Sequence, residues 1–281
     1  MTVPLALRPV AAQEFSLAAT LASGQVFHWS PQGQGYAGVI DESPVYVEQQ
    51  GDRLLTTGEP AVVARYFALD HPLAEIYASF PDDPAMRAAL EYCRGMRIIR
   101  QPAWECLATF ITSSMKQVAH IAQISRVLRE RYGRRLGPGG PYAYPGPERL
   151  AVLREDDLRA CALGYRAGNL LKTARMIAAG EVDLDAIRAM PDDLAREELC
   201  RLAGVGEKVA NCVLLFACER VRAFPIDVWI ERVLRENYFK GKRKVTAGRL
   251  RDFTREYFGE YGGYAQQYLF HHARSARHRK S

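Results

Sequence analysis

Lys208 and Cys212 stand four residues apart in the stretch LAGVGEKVANC. An amine and a thiol at that spacing share one face of a helix. An unprotonated lysine attacks carbon, so the pair reads as a nucleophile with a neighbour on its own face. The helix begins near Glu207, which puts Lys208 in its first turn, beside the positive end of the dipole. That field, and burial against Val209, Val213 and Leu214, works against a charged amine. A surface lysine next to a small core cysteine is the plain alternative.

Gly204 and Gly206 precede the lysine, with Val205 between them. Both glycines are free to adopt positive φ and let backbone approach a partner closely. Val205 is placed to point inward and anchor the turn. The turn and the helix N-terminus after it leave N–H groups facing outward, a site suited to phosphate. A generic corner between helices would use similar residues. Further on, AFPIDVWIERVL puts Asp227 at the N-cap of an amphipathic helix. A capping carboxylate keeps a low pKa and stays charged, so it also suits a reacting centre that turns positive. Capping alone is the simpler role.

The elements that must position these residues fall into two groups. QVFHWS, GYAGVI, PVYVEQQ and DRLLTT are short, aromatic and β-branched, and suggest a small antiparallel sheet. After Glu59-Pro60 apolar residues recur at three-four spacing almost to the end, in segments such as VAHIAQISRVLRERY, NLLKTARMIAAG and YAQQYLFHHAR. The stretch from Gly137 to Pro147 is too rich in Gly and Pro to be regular. The fold class is α+β: a small N-terminal antiparallel β-sheet subdomain packed on a larger all-helical body. The expected division is 1–94 for the sheet subdomain with flanking helices and 95–281 for the helical body, with the hairpin at about 202–208.

The 281 residues are 48% hydrophobic, enough for a core. No apolar run is long enough to cross a membrane, and the N-terminus lacks the pattern of a signal peptide. We expect a cytoplasmic protein. The six cysteines form no C-x-x-C pair, which leaves zinc, disulfide and four-cysteine cluster readings without support. Net charge is +6, with Lys240, Lys242, Arg243 and Lys244 in one cluster and Arg274, Arg277, Arg279 and Lys280 near the end. Such patches suit nucleic acid, although solvated loops look the same.

Taken together, Leu202-Ala-Gly204-Val205-Gly206-Glu-Lys208 followed by Pro225-Ile-Asp227 resembles the helix–hairpin–helix DNA glycosylase superfamily. Within it the chain is similar to the 8-oxoguanine DNA glycosylases. That resemblance runs through SGQVFHW, RQPAWECLATFITSS, LGYRA and GGYAQQYLF. It implies base-excision repair of double-stranded DNA containing oxidised guanine, by a monomer that combines glycosylase and abasic-site lyase activity. Lys208 is then the nucleophile that forms a Schiff base, and Asp227 stabilises the oxocarbenium-like charge on the sugar as the base departs. The hairpin holds a DNA phosphate. No cofactor is required, and family members often bind a monovalent or divalent cation through hairpin carbonyls, here near Leu202 and Val205. Gly24 supplies the carbonyl that accepts from N7 of the lesion, which oxidation turns from acceptor to donor. Gln266 reads the Watson–Crick edge, and Phe270 and Cys212 sandwich the base. Tyr165 matches the wedge and Arg166 the contact to the orphaned partner base. A nucleoid or nuclear location follows the organism.

Met115, Lys116 and Gln117 stand where the eukaryotic relatives carry an asparagine triplet, and His120 replaces an arginine that reads cytosine. Met115 fills a gap but lacks hydrogen bonds, and His120 lacks Arg's bidentate fork. A weaker preference for cytosine opposite the lesion follows. Trp229 stands where those relatives often have histidine. The other readings are a same-fold glycosylase for another damaged purine and a non-catalytic damage-binding module.

Overall fold

Three two-residue turns build the sheet in the computed structural model, which describes residues 6–113, 117–241 and 245–278. The strands are β1 (Arg8–Ala11), β2 (Ser30–Gln32), β3 (Gly35–Ile40), β4 (Ser43–Gln50) and β5 (Arg53–Thr56), all antiparallel in the order β1-β5-β4-β3-β2. Each turn begins with a residue of positive φ: Gly33, Asp41 and Gly51. That handedness matches the twist of the strands it joins. One face buries Val10, Ile40, Val45, Val47 and Leu54 against Val63 and Tyr66 of the helix Pro60–Tyr66 and Phe67 just after it.

QVFHWS does not form the strand its composition suggests. Only Ser30 onward pairs, and residues 25–29 run unpaired. Their polar groups are committed elsewhere. The buried Gln25 side chain donates to the carbonyls of Thr20 and Arg97 and accepts from Ile99 N–H at 2.7 Å. Gln101 in turn donates to the Gln25 carbonyl at 2.7 Å. A buried amide with its bonds satisfied is costly to move, so this segment is pinned. A strand missed by pattern, β1, closes the other edge.

The helices follow the apolar periodicity closely. Ala103–Ser113, Val118–Tyr132, Arg166–Ala178, Asp192–Cys200, Glu207–Phe216, Val228–Tyr238, Ala247–Phe258 and Gly262–His278 surround one core that includes Leu107, Ile111, Leu170, Leu199, Val213, Tyr264 and Tyr268. The helices Leu73–Ser79 and Pro84–Cys93 send Leu73, Ile76, Met86 and Cys93 into that same core. The Gly- and Pro-rich stretch is irregular apart from a bridge between Arg135 and Tyr142, and Leu136 and Ala143 pack on Val39 of the sheet.

A charged cluster crosses the seam between the two groups of elements. His28 Nδ1 lies 3.1 Å from Glu105, and Arg129 donates to the same carboxylate. Burial raises the Glu105 carboxyl, but His28 and Arg129 outweigh it and hold it at about 2. Ionised and paired, Glu105 ties the 25–29 segment to the helix that carries Phe110 and Ser113.

Candidate active site

The hairpin presents Lys208 as its spacing predicts, with one difference in the glycines. Gly204 has φ 79°, and a methyl group there would press against Asn169. Gly206 instead has φ −107° and caps the helix Glu207–Phe216, so its backbone is extended rather than left-handed. Open space surrounds it, which suits close approach by a partner. Val205 is buried in the core. Its N–H donates to the Leu202 carbonyl at 3.1 Å and closes the turn.

From the half-buried first turn, the Lys208 amine donates to Ser113 Oγ at 3.2 Å and lies 5.0 Å from the centroid of Phe110. Ser113 in turn donates to the Phe110 carbonyl at 2.8 Å, so its hydroxyl is oriented with a lone pair toward the amine. Phe110 stacks on Phe216 at 5.4 Å and 8°, a rigid apolar floor. Cys212 is buried beside Lys208, and burial pushes its thiol up to about 11. It is a neutral packing surface at physiological pH, not a second nucleophile.

Asp227 caps Val228–Tyr238: Oδ1 accepts from Trp229 N–H at 3.1 Å and Ile230 N–H at 2.8 Å. Its carboxyl is not held low as a capping residue's would be. Burial raises it above its ordinary value, and the cap bonds and Lys208 offset only part of that. The carboxylate is therefore poorly solvated and close to the amine, which strengthens its field on any positive charge forming there.

Lys208, Asp227, Gly24, Cys212, Gln266 and Phe270 all line one inner recess, together with Phe110 and Pro225. The recess measures about 40 Å³ and opens beside a cleft of about 1230 Å³ lined by Lys208, Asp227, Trp229, Phe270 and Arg274. Gly24 has φ 85°, and its missing side chain would meet Phe270 and Val118 as well as Arg274. Gln267 donates to the Ser23 carbonyl at 3.0 Å and fixes the turn beside Gly24. Gln266 is buried, and its Oε1 has no hydrogen-bond partner among the described residues. A buried amide oxygen left open toward a recess is suited to accept from a ligand.

Other expected contact residues lie around the cleft. Tyr165 is 62% exposed just before the helix Arg166–Ala178, as a wedge requires. Arg166, expected at the partner base, is instead buried. Its guanidinium covers the Tyr165 ring at 4.3 Å, and Nη1 donates to the Leu163 carbonyl, so it braces the tyrosine. Gln117 and His120 are exposed at the start of Val118–Tyr132, and Gln117 lines the cleft. Trp229 lines it too, with Arg232 at 5.7 Å over its ring. Met115 and Lys116 lie outside the described residues, as do Lys242, Arg243, Lys244, Arg279 and Lys280.

Residues 8–107 match the family model of the 8-oxoguanine DNA glycosylase N-terminal domain. An N-glycosylase/DNA lyase of Arabidopsis thaliana is 30% identical over 282 residues, which cover 92% of this chain and 77% of that protein. The chain belongs to the 8-oxoguanine DNA glycosylase family. A probable N-glycosylase/DNA lyase of Methanothermobacter thermautotrophicus is 32% identical over 230 residues, covering 74% of this chain and 72% of the relative. The Clostridium acetobutylicum 8-oxoguanine glycosylase/lyase, solved with duplex DNA carrying cytosine opposite 8-oxoguanine, superposes with a TM-score of 0.89. It is 31% identical, with 96% of this chain and 98% of that one covered. Three residues join the site beyond those that the sequence motifs mark: Ser113 under the amine, Gln267 behind Gly24, and Arg274 in the cleft. FITSS hints at Ser113, one helical turn after Phe110, but no local pattern marks the other two. Among the described residues no helix is long and apolar enough to cross a membrane.

Proposed function

We propose that this chain is a bifunctional 8-oxoguanine DNA glycosylase and abasic-site lyase acting on duplex DNA, with Lys208 as nucleophile and Asp227 as electrostatic partner. One observation carries the assignment of roles: the amine, the carboxylate and the four expected base-reading residues converge on a single recess. A base inside a duplex is out of reach, so the nucleotide is flipped toward the cleft. The Lys208 nitrogen bonds to the sugar C1′ as the bond to the base breaks. The Asp227 carboxylate stabilises the positive charge that builds on the sugar. The resulting Schiff base permits elimination of the 3′ phosphate and nicks the strand.

Recognition follows from hydrogen-bond polarity. The Gly24 carbonyl accepts from N7–H of the lesion and repels the N7 lone pair of guanine. The open Gln266 Oε1 accepts from the Watson–Crick edge, where guanine carries its donors. Phe270 and Cys212 cover the two faces. The hairpin N–H groups receive a backbone phosphate. Leu202 and Val205 carbonyls also suit a hard monovalent or divalent cation, since a carbonyl oxygen keeps a second lone pair when it accepts one bond. We place the protein with its substrate, in the cytoplasmic nucleoid or the nucleus according to the cell.

Borohydride trapping tests the nucleophile. A duplex with one 8-oxoguanine should yield a covalent protein–DNA adduct with the wild type and none with Lys208→Gln. Base release with no adduct in the wild type would make the enzyme monofunctional and remove this role from Lys208.

A further inference from the structure

Arg274 follows Phe270 by one turn and Gln266 by two on the terminal helix, so the three share a face. Its Nη2 donates to the Ala22 carbonyl and lies 3.4 Å from His271 Nδ1. Its guanidinium carbon is 5.5 Å from the Phe270 centroid. The other end of the fork is different. Nη1 is buried and has no hydrogen-bond partner among the described residues, and no carboxylate there pairs with the cation. A buried charged donor left unmade is costly, which points to a ligand that completes it.

The position of that donor narrows the ligand. A methyl group built on Gly24 would lie 2.5 Å from Nη1 and 3.3 Å from the Phe270 ring. The free donor therefore sits against the backbone whose carbonyl is proposed to meet N7. The protein offers an acceptor and a donor side by side. Oxidised guanine offers the complement: a donor at N7 and, next to it, an acceptor at the C8 carbonyl. Undamaged guanine has a lone pair at N7 and only hydrogen at C8, so it mismatches both. A phosphate ligand fits less well, because phosphates stay at the solvated rim while Nη1 is buried.

We infer that Arg274 is a specificity residue whose Nη1 donates to the C8 carbonyl of the flipped base. The inference rests on the 8-oxoguanine reading above. The Ala22 contact holds the guanidinium in place, so that one fork reads the lesion while tethered to the turn before Gly24. Lysine cannot do both, because it offers a single point charge instead of a fork.

The test compares the wild type with Arg274→Met and Arg274→Lys in three measurements. These are single-turnover excision of 8-oxoguanine, strand cleavage at a preformed abasic site, and binding of uncleavable 2′-fluoro duplexes containing 8-oxoguanine or guanine. Both variants should lose about 10- to 100-fold in excision, and the affinity ratio of 8-oxoguanine over guanine should fall by a similar factor. Cleavage at the abasic site, which has no base to read, should stay within about twofold of wild type. An equal loss on the abasic site would assign Arg274 to the fold or to a phosphate and overturn the inference. Full excision by the methionine variant, or rescue by lysine, would overturn it as well. A wild type inactive on 8-oxoguanine would instead remove the functional reading on which it rests, and the inference with it.

Discussion

Asp227 has two jobs that pull its ionisation in opposite directions. Capping favours the carboxylate, while burial raises the group above its ordinary value. The sign follows from linkage: the folded chain binds this proton more tightly than the unfolded one. The ionised group therefore costs stability above its folded pKa, and the cost vanishes below the unfolded value near 3.8. Asp227→Asn keeps a capping oxygen and removes the charge. It should melt higher than wild type at pH 7, match it in acid, and lose about 10²-fold or more in excision. A melting temperature that falls equally at both pH values would show that capping dominates. His120 carries a second prediction. It is exposed at the position where the family resemblance implies a cytosine-reading arginine, so excision rates with the four opposite bases should spread by less than about 100-fold. A larger preference for cytosine would place the reader elsewhere. The residues that line the recess were legible because they sit in short motifs, most of which set their direction by helical spacing. Ser113, Gln267 and Arg274 were not. Their contacts span 95, 244 and 252 residues of sequence, which no local pattern encodes.

The turn before Tyr165 shows what an element stores. Arg159–Leu163 is an irregular turn in which Ala162 adopts φ 63° and ψ 20°. A non-glycine residue in that region costs about 1–2 kcal/mol. Gly164 follows with φ 59°, and together they aim Tyr165 outward. Ala162→Gly should raise unfolding stability by about 1 kcal/mol, after subtracting the extra freedom of glycine in the unfolded chain. Urea midpoints at constant slope would show it, and a decrease would mean that the alanine methyl packs usefully. The helices themselves were readable within a few residues, since periodicity and caps are local. QVFHWS was misread because its composition suits a strand while the buried Gln25 bonds compete for its backbone.

At the scale of the whole molecule, charge and the seam decide behaviour. A net charge of +6 on a chain acting on DNA predicts binding dominated by phosphate contacts. Log affinity for a short duplex should fall with log salt at a slope of about −0.9 per phosphate neutralised, and steeper than about −3 in total. A flat response would count against DNA as the substrate. The seam cluster of His28, Glu105 and Arg129 was invisible in sequence, because its members come from three separate segments. The α+β division was visible, because alternation and helical spacing occupy different stretches of the chain.

The inner recess measures about 40 Å³ against about 1230 Å³ for the cleft beside it, so a purine fills it only as its walls part. Opening it is a toll levied on every base presented, damaged or not. A lesion that completes the waiting hydrogen bonds meets that toll as it enters, while an ordinary guanine is turned away before its sugar comes near the amine. Closure thus converts recognition into timing. The measurable signature of such sorting is residence time: slower dissociation from a duplex with 8-oxoguanine than from an undamaged one, at equal association rates.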